Sequence, residues 1–197
     1  MAKGPRYRVP YRRRREHKTD YQARRILATS SSPRFVMRTF GRNILIQITR
    51  SKIEGDRVIT HTSSAELVKR FGWLGGRKNT PSAYLLGLIA GHKALNLKVE
   101  SAILDVGLKR PTAGSKLFAA AKGAQDAGFK VPCKGDVMPS AERIEGVTIM
   151  EYAKSMAEDT LKYERVFSDY LKRGLRPEGL VDHFREVKAR IEEELVS

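Results

Sequence analysis

Few residues in this chain have the type and spacing that catalysis demands. Asp105 closes an apolar run and is the best single candidate for a catalytic carboxylate. A two-metal nuclease needs several convergent acids. The other acids of the middle region, Glu54, Asp56 and Asp126, fall in expected turns or on a helix face, so Asp105 is expected to act as a cap or loop hydrogen-bond acceptor. Residues 107–116 (GLKRPTAGSK) resemble a phosphate loop at first sight. A P-loop needs G-x-x-x-x-G-K-[ST], whereas here the glycines are seven residues apart and Ser115 precedes Lys116. His17, His61, His92 and His183 are scattered without metal-ligand spacing. Cys133 is the only cysteine, which excludes an intramolecular disulfide and a cysteine-rich zinc site. It has no histidine nearby, and there is no G-x-S-x-G elbow. No enzymatic activity and no cofactor are expected.

Cations are what the chain has in excess. Lys and Arg number 38 against 22 Asp and Glu, a formal net charge of +16. Residues 1–25 carry ten basic and two acidic groups, so this arm holds half of the net charge. Residues 26–150 are also basic, while residues 151–197 are slightly acidic. Four consecutive arginines, Arg12 to Arg15, repel one another unless an anion neutralises them. Tyr7, Tyr11 and Tyr21 are interleaved with arginines, a mixture suited to stacking on bases while guanidiniums hold phosphates. A membrane surface would call for a large apolar face beside the charge, and the arm has few aliphatics. Nor is there a run of about 18 apolar residues that could span a bilayer, and the basic start does not have the pattern of a secretory signal. The expected partner is a nucleic acid. Lys109, Arg110, Thr112, Ser115 and Lys116 precede or open an expected helix, where backbone amides and cations together suit a phosphate.

The elements that would position these groups are partly visible. Pro5 and Pro10 favour an extended or disordered arm, with a short helix over residues 18–27. Residues 34–40 alternate; a turn at Gly41-Arg42-Asn43 follows, and Ile44, Ile46 and Ile48 alternate in turn. With a turn at 54–56 and a third run over 58–62, this reads as an antiparallel meander. Residues 65–71 suit one or two helical turns. Thr80 as N-cap and Pro81 at the first helical position open a helix to about Leu95. Its broad apolar surface implies burial against a sheet, with Gly87 and Gly91 permitting close approach to that sheet. Residues 99–106 read as a central strand, 116–127 as a helix ended by Gly128, and 129–131 as a short last strand. Residues 134–145 look irregular. Helices are expected over 148–172 and 177–195, the latter with an apolar stripe of Leu180, Phe184, Val187, Ile191 and Leu195 for a partner helix or the body.

Residues 103–132 (ILDVGLKRPTAGSKLFAAAKGAQDAGFKVP), with 71–95 and 143–154, resemble a known family: the 5S-rRNA-binding protein of the large ribosomal subunit, eighteenth in the bacterial series, in its archaeal and eukaryotic form. The resemblance implies an α/β fold, a three-layer body with a mixed sheet of about five strands. This agrees with the elements above, to which an extended basic arm and a helical C-terminal extension are added. The expected organisation is a basic arm over 1–25, an RNA-binding body over 26–147 and a helical extension over 148–197. The family's role implies attachment of 5S rRNA to the large-subunit (23S-type) rRNA at the central protuberance of a cytoplasmic ribosome. It also implies neighbouring ribosomal proteins as partners; the slightly acidic charge and apolar stripe of the tail point to the C-terminal helices as the part that meets them, and no homo-oligomer is expected. Expected RNA contacts in the arm are Lys3, Arg6, Tyr7, Arg8, Tyr11, Arg12, Arg13, Arg14, Arg15, Lys18, Arg24 and Arg25. In the body they are Arg42, Asn43, Arg50 and Lys52 at hairpin ends, Arg77, Lys78 and Asn79 before a core helix, and Lys109, Arg110, Thr112 and Lys116. The charge pattern alone leaves open a non-ribosomal RNA-binding regulator, and Asp105 leaves open a nuclease.

Overall fold

A computed structural model describes residues 4–196, so Lys3 lies outside the described residues. The meander forms as expected. Strands β1 (Arg34–Phe40), β2 (Asn43–Lys52) and β3 (Gly55–Ser63) pair antiparallel. Gly41, at φ +50°, and Arg42 make the tight link between β1 and β2. The register sets Phe35 opposite Ile48 and Met37 opposite Ile46. Because side chains alternate along a strand, one face gathers Phe35, Met37, Ile44, Ile46 and Ile48, all buried. The other face carries Arg34 and Arg38.

Helix α3 (Ser64–Phe71) starts directly from β3, capped by the Ser63 hydroxyl, and ends at left-handed Gly72. Helix α4 (Thr80–Asn96) lies against the sheet and is buried along nearly its whole length. Its N-cap is Asn79, one residue before the Thr80 expected. The Asn79 carboxamide oxygen accepts from the Ser82 amide (3.0 Å), and Pro81 sits within the first turn, where a missing N–H breaks no helical bond. Helix α5 (Lys116–Asp126) packs on α4. A Cβ on Gly87 would lie 2.0 Å from the carbonyl oxygen of Ala120, and one on Gly123 would lie 2.1 Å from that of Tyr84. Gly87 and Gly91 therefore admit α5, and not the sheet as expected.

Two expectations for the sheet are corrected. It has four strands among the described residues, in the order β3-β2-β1-β4, and β4 is only Ile103–Asp105. This strand runs parallel to β1 at the edge of the sheet, not at its centre. The expected strand at 129–131 contributes one parallel bridge, Lys130 to Ser101. Its flanking side chains, Phe129 and Val131, are buried as plugs, and Pro132 has no amide with which to extend a ladder.

The C-terminal region is more broken than expected. Residues 134–145 include a short 3-10 turn and helix α6 (Ala141–Glu145). The expected helix over 148–172 is two, α7 (Val147–Ser155) and α8 (Thr160–Leu171), the second capped by Asp159. Helix α9 (Leu180–Val196) then returns to the body. Leu180, Phe184, Val187 and Ile191 are at most 2% exposed and belong to the same core as the sheet and α4. Phe184 contacts both Tyr84 (5.8 Å between centroids) and Trp73 (6.5 Å). The stripe is thus satisfied within the chain and is not free for a partner. At about 1.5–3 kcal/mol per buried large apolar side chain, it is a major part of the core.

Towards the N-terminus, α1 (Arg12–Arg15) is a single exposed turn, and α2 is Tyr21–Thr29, later than the 18–27 expected. Asp20 sets that start, since its carboxylate accepts from the Gln22 and Ala23 amides.

Candidate nucleic-acid interface

The site is built around Asp105, which is not placed for catalysis. Its carboxylate is buried, accepting from Arg34 Nη1 (3.1 Å), Arg38 Nη2 (2.8 Å) and the Gly107 amide (2.9 Å). Its backbone oxygen accepts from Arg38 Nη1 (3.0 Å). A buried charge survives only when paired and hydrogen-bonded in this way. Gly107 lies at φ +65°, and a Cβ there would fall 2.9 Å from the Arg38 guanidinium carbon. The Asp-Val-Gly segment is therefore a buckle that fixes the loop over residues 106–115 to the sheet.

That loop brings its cations back over the β1–β2 hairpin. Lys109 Nζ donates to Thr39 Oγ1. From another segment, Lys78 Nζ donates to the carbonyl of Gly41 (2.8 Å). Burial lowers the pKa of Lys109, and the nearby charges of Lys116, Lys78 and Arg38 push it down further. Cations from three separate parts of the sequence, Arg38 on β1, Lys78 before α4 and Lys116 at the start of α5, thus act on Lys109 at one edge of the fold. Arg42 projects beside the same hairpin turn, with its side chain 83% exposed and a long contact (3.3 Å) to Asp169. Arg110 and Thr112 are exposed on the loop. Ser115 makes no side-chain cap for α5, so that helix presents its first-turn amides uncapped by its own N-cap residue.

Other expected body residues are placed differently. Asn79 is occupied as the α4 cap and donates to Tyr170 Oη (3.1 Å). Asn43 and Arg77 are only partly exposed. Arg50 and Lys52 are exposed, but at the far end of β2, about 30 Å from the cluster for a ten-residue strand. There Arg50 is directly opposite Arg57, a like-charge pair that strand pairing disfavours. Arg38 and Arg57 were not singled out from the sequence. Their signal was available, since the alternation in β1 puts Arg38 off the core face and the hairpin register brings Arg57 to Arg50.

In the arm, Arg6, Arg8, Arg12, Arg13, Arg14, Arg15, Lys18 and Arg25 are exposed, and so are Tyr7 and Tyr11. Tyr21 is 38% exposed with the Arg14 guanidinium 6.0 Å from its ring centre. Helix α2 is tied to the sheet by Arg24 Nη2 to Asp56 Oδ2 (2.9 Å), while Arg34 Nη2 holds Asp56 Oδ1 (2.7 Å). Partial burial pushes the Asp56 carboxyl up, but the Arg34 and Arg24 guanidiniums and the Ser51 hydroxyl outweigh it and hold it below the ordinary carboxylate value. Between α2 and the β1–β4 edge runs a cleft of about 670 Å³, lined by Arg13, Lys18, Arg24, Arg34, Arg38 and Lys109. Among the described residues no group of His, Cys, Asp and Glu could hold a metal ion, and no helix is long and apolar enough to cross a membrane.

A mixed α/β body with exposed cations on arm, hairpin and loop, and with Asp56 and Asp105 held in ion pairs to arginines, defines the class: a basic α/β protein. Comparison with known proteins gives the family. The chain matches the family profile described as "Ribosomal large subunit proteins 60S L5, and 50S L18" over residues 5–102 and 96–134. It is 48% identical over 194 residues to the large ribosomal subunit protein uL18 of Caldivirga maquilingensis, covering 98% of this chain and 94% of that protein. Identity to uL18 of Staphylothermus marinus is 49% over 195 residues (98% and 96%), and to uL18 of Desulfurococcus amylolyticus 51% over 191 residues (97% of each). The chain belongs to the uL18 family of large-subunit ribosomal proteins, which are structural and not enzymatic.

Proposed function

We propose that this chain binds 5S rRNA in the large ribosomal subunit and helps attach it to the large-subunit rRNA at the central protuberance. The observation that carries this reading is the gathering of lysines at the β1–β2 hairpin: Lys109 Nζ sits on Thr39 and Lys78 Nζ on the Gly41 carbonyl, with Lys116 close enough to act on Lys109, a set of like charges that an anion would relieve. Folded RNA presents phosphates, 2′-hydroxyls and exposed loops, so a fixed constellation of cations can recognise its shape. The body cluster gives the rigid part of that recognition. The arm, with its exposed arginines and tyrosines, adds phosphate contacts and stacking surfaces. The expected body contacts are Arg42, Lys78, Lys109, Arg110, Thr112 and Lys116, with Arg50 and Lys52 as a separate contact at the other hairpin end. Neighbouring ribosomal proteins would meet the tail on surfaces other than the α9 stripe; Leu161 and Val166 on α8 are exposed. Binding to a 5S rRNA transcript, beside an unrelated structured RNA of equal length, tests this. Preference for 5S rRNA at about 150 mM salt is expected. Equal affinity for both would reduce the role to general RNA binding.

A further inference from the structure

The cleft between α2 and the β1–β4 edge has apolar walls as well as charged ones. Ala23, Ile26 and Leu27 line it from α2, and Leu104, Val106 and Leu108 from β4 and the loop after it. Ile26 and Leu108 remain 65% and 60% exposed, so this apolar surface is not used by the fold. Both carboxylates of the cleft are committed elsewhere: Asp20 caps α2, and Asp105 holds Arg34, Arg38 and the Gly107 amide. What the cleft offers a ligand is therefore aliphatic surface flanked by positive charge. Lys109 belongs both to this cleft and to the cationic cluster of the hairpin, so one polyanion can run through both.

We propose that the cleft receives one unstacked nucleotide of the bound RNA, with its base between Ile26 and Leu108 and its phosphate beside Arg13 and Lys109. This rests on the RNA-binding reading above. A base has two apolar faces and its phosphate is anionic, which matches the two kinds of wall. The volume, about 670 Å³, is within the ~300–1,000 Å³ range of small-molecule sites. Fixing a splayed nucleotide would give the protein a contact that depends on RNA loop structure, which phosphate contacts alone do not supply.

The test compares wild type with an Ile26→Ala/Leu108→Ala double variant; both side chains are exposed, so the fold is expected to persist. The probes are a 5S rRNA transcript, inorganic polyphosphate and polyglutamate. Affinity for the transcript should fall at least about fivefold. The slope of log K against log salt should stay unchanged, because no phosphate contact is removed. Polyphosphate binding should not change. Unchanged affinity for the transcript overturns the proposal while leaving RNA binding intact, and an equal loss on polyphosphate overturns it as well. A loss confined to polyglutamate would assign the cleft to an acidic protein segment instead. If wild type itself does not bind the transcript, the underlying RNA reading fails.

Discussion

Asp105 is a buried carboxylate whose partners give it a structural role. It joins Arg34, Arg38 and the Gly107 amide, and so fixes the loop that carries Lys109. Asp105→Asn keeps the shape but leaves Arg34 and Arg38 without that charge. Urea denaturation should show a loss of about 3 kcal/mol, the usual cost of breaking a buried pair. Gly87→Ala should also destabilise, by about 1–3 kcal/mol or more, since its Cβ meets the Ala120 carbonyl at 2.0 Å. Gly135→Ala, with nothing within 4 Å, should be neutral to within about 0.5 kcal/mol. His183 adds a pH effect. Its Nε2 accepts from the Leu74 amide (3.0 Å), so the ring is neutral there, and it stacks on Trp73. Burial lowers its pKa, Glu186 opposes the shift, and Arg190 adds to it. An unfolded histidine protonates near pH ~6.5. Below that value the unfolded chain binds a proton that the fold resists, so stability should fall as pH drops through this range, levelling once the folded ring also protonates. His183→Gln should show a shallower decline between pH 7.5 and 5.5 in the same denaturation experiment.

At the scale of elements, the arm and the last helix have opposite roles. The arm buries nothing in α1 or α2 and is tied down by Arg24–Asp56. Deleting residues 1–25 should therefore leave the melting of the body nearly unchanged while flattening the salt dependence of RNA binding. Deleting residues 180–196 should instead abolish cooperative folding, because Leu180, Phe184, Val187 and Ile191 are core. This contrast was half legible in the sequence. The stripe of α9 could be read from its spacing, but its partner could not, since periodicity shows that a face is buried and not against what. The meander was legible because Phe35, Met37, Ile44, Ile46 and Ile48 alternate on one covered face. The shortness of β4 was not, because an apolar run looks the same whether it pairs for three residues or eight. The α4 cap was missed by one residue, since both Asn79 and Thr80 are competent caps and only backbone geometry chooses between them.

For the whole molecule, composition revealed a polyanion partner but not the place where it binds. Lys78 is about thirty residues from the segment that carries Lys109 and Lys116, and it meets them because β4 pairs parallel with β1 and the Asp105 buckle turns the next loop over the hairpin. No local pattern encodes such a meeting. In the resulting charge distribution Asp56 and Asp105 are paired within the fold, and the proposed function assigns the exposed cations of arm, hairpin and loop to RNA. The most direct measurement is the salt dependence of 5S rRNA affinity for wild type and for a Lys78→Ala/Lys109→Ala/Lys116→Ala variant. Each lost phosphate contact removes about 0.7–0.9 from the slope of log K against log salt. The triple variant should be shallower by about 2–3, with the fold intact by circular dichroism. An unchanged slope in a folded variant would contradict the assignment of this cluster to RNA.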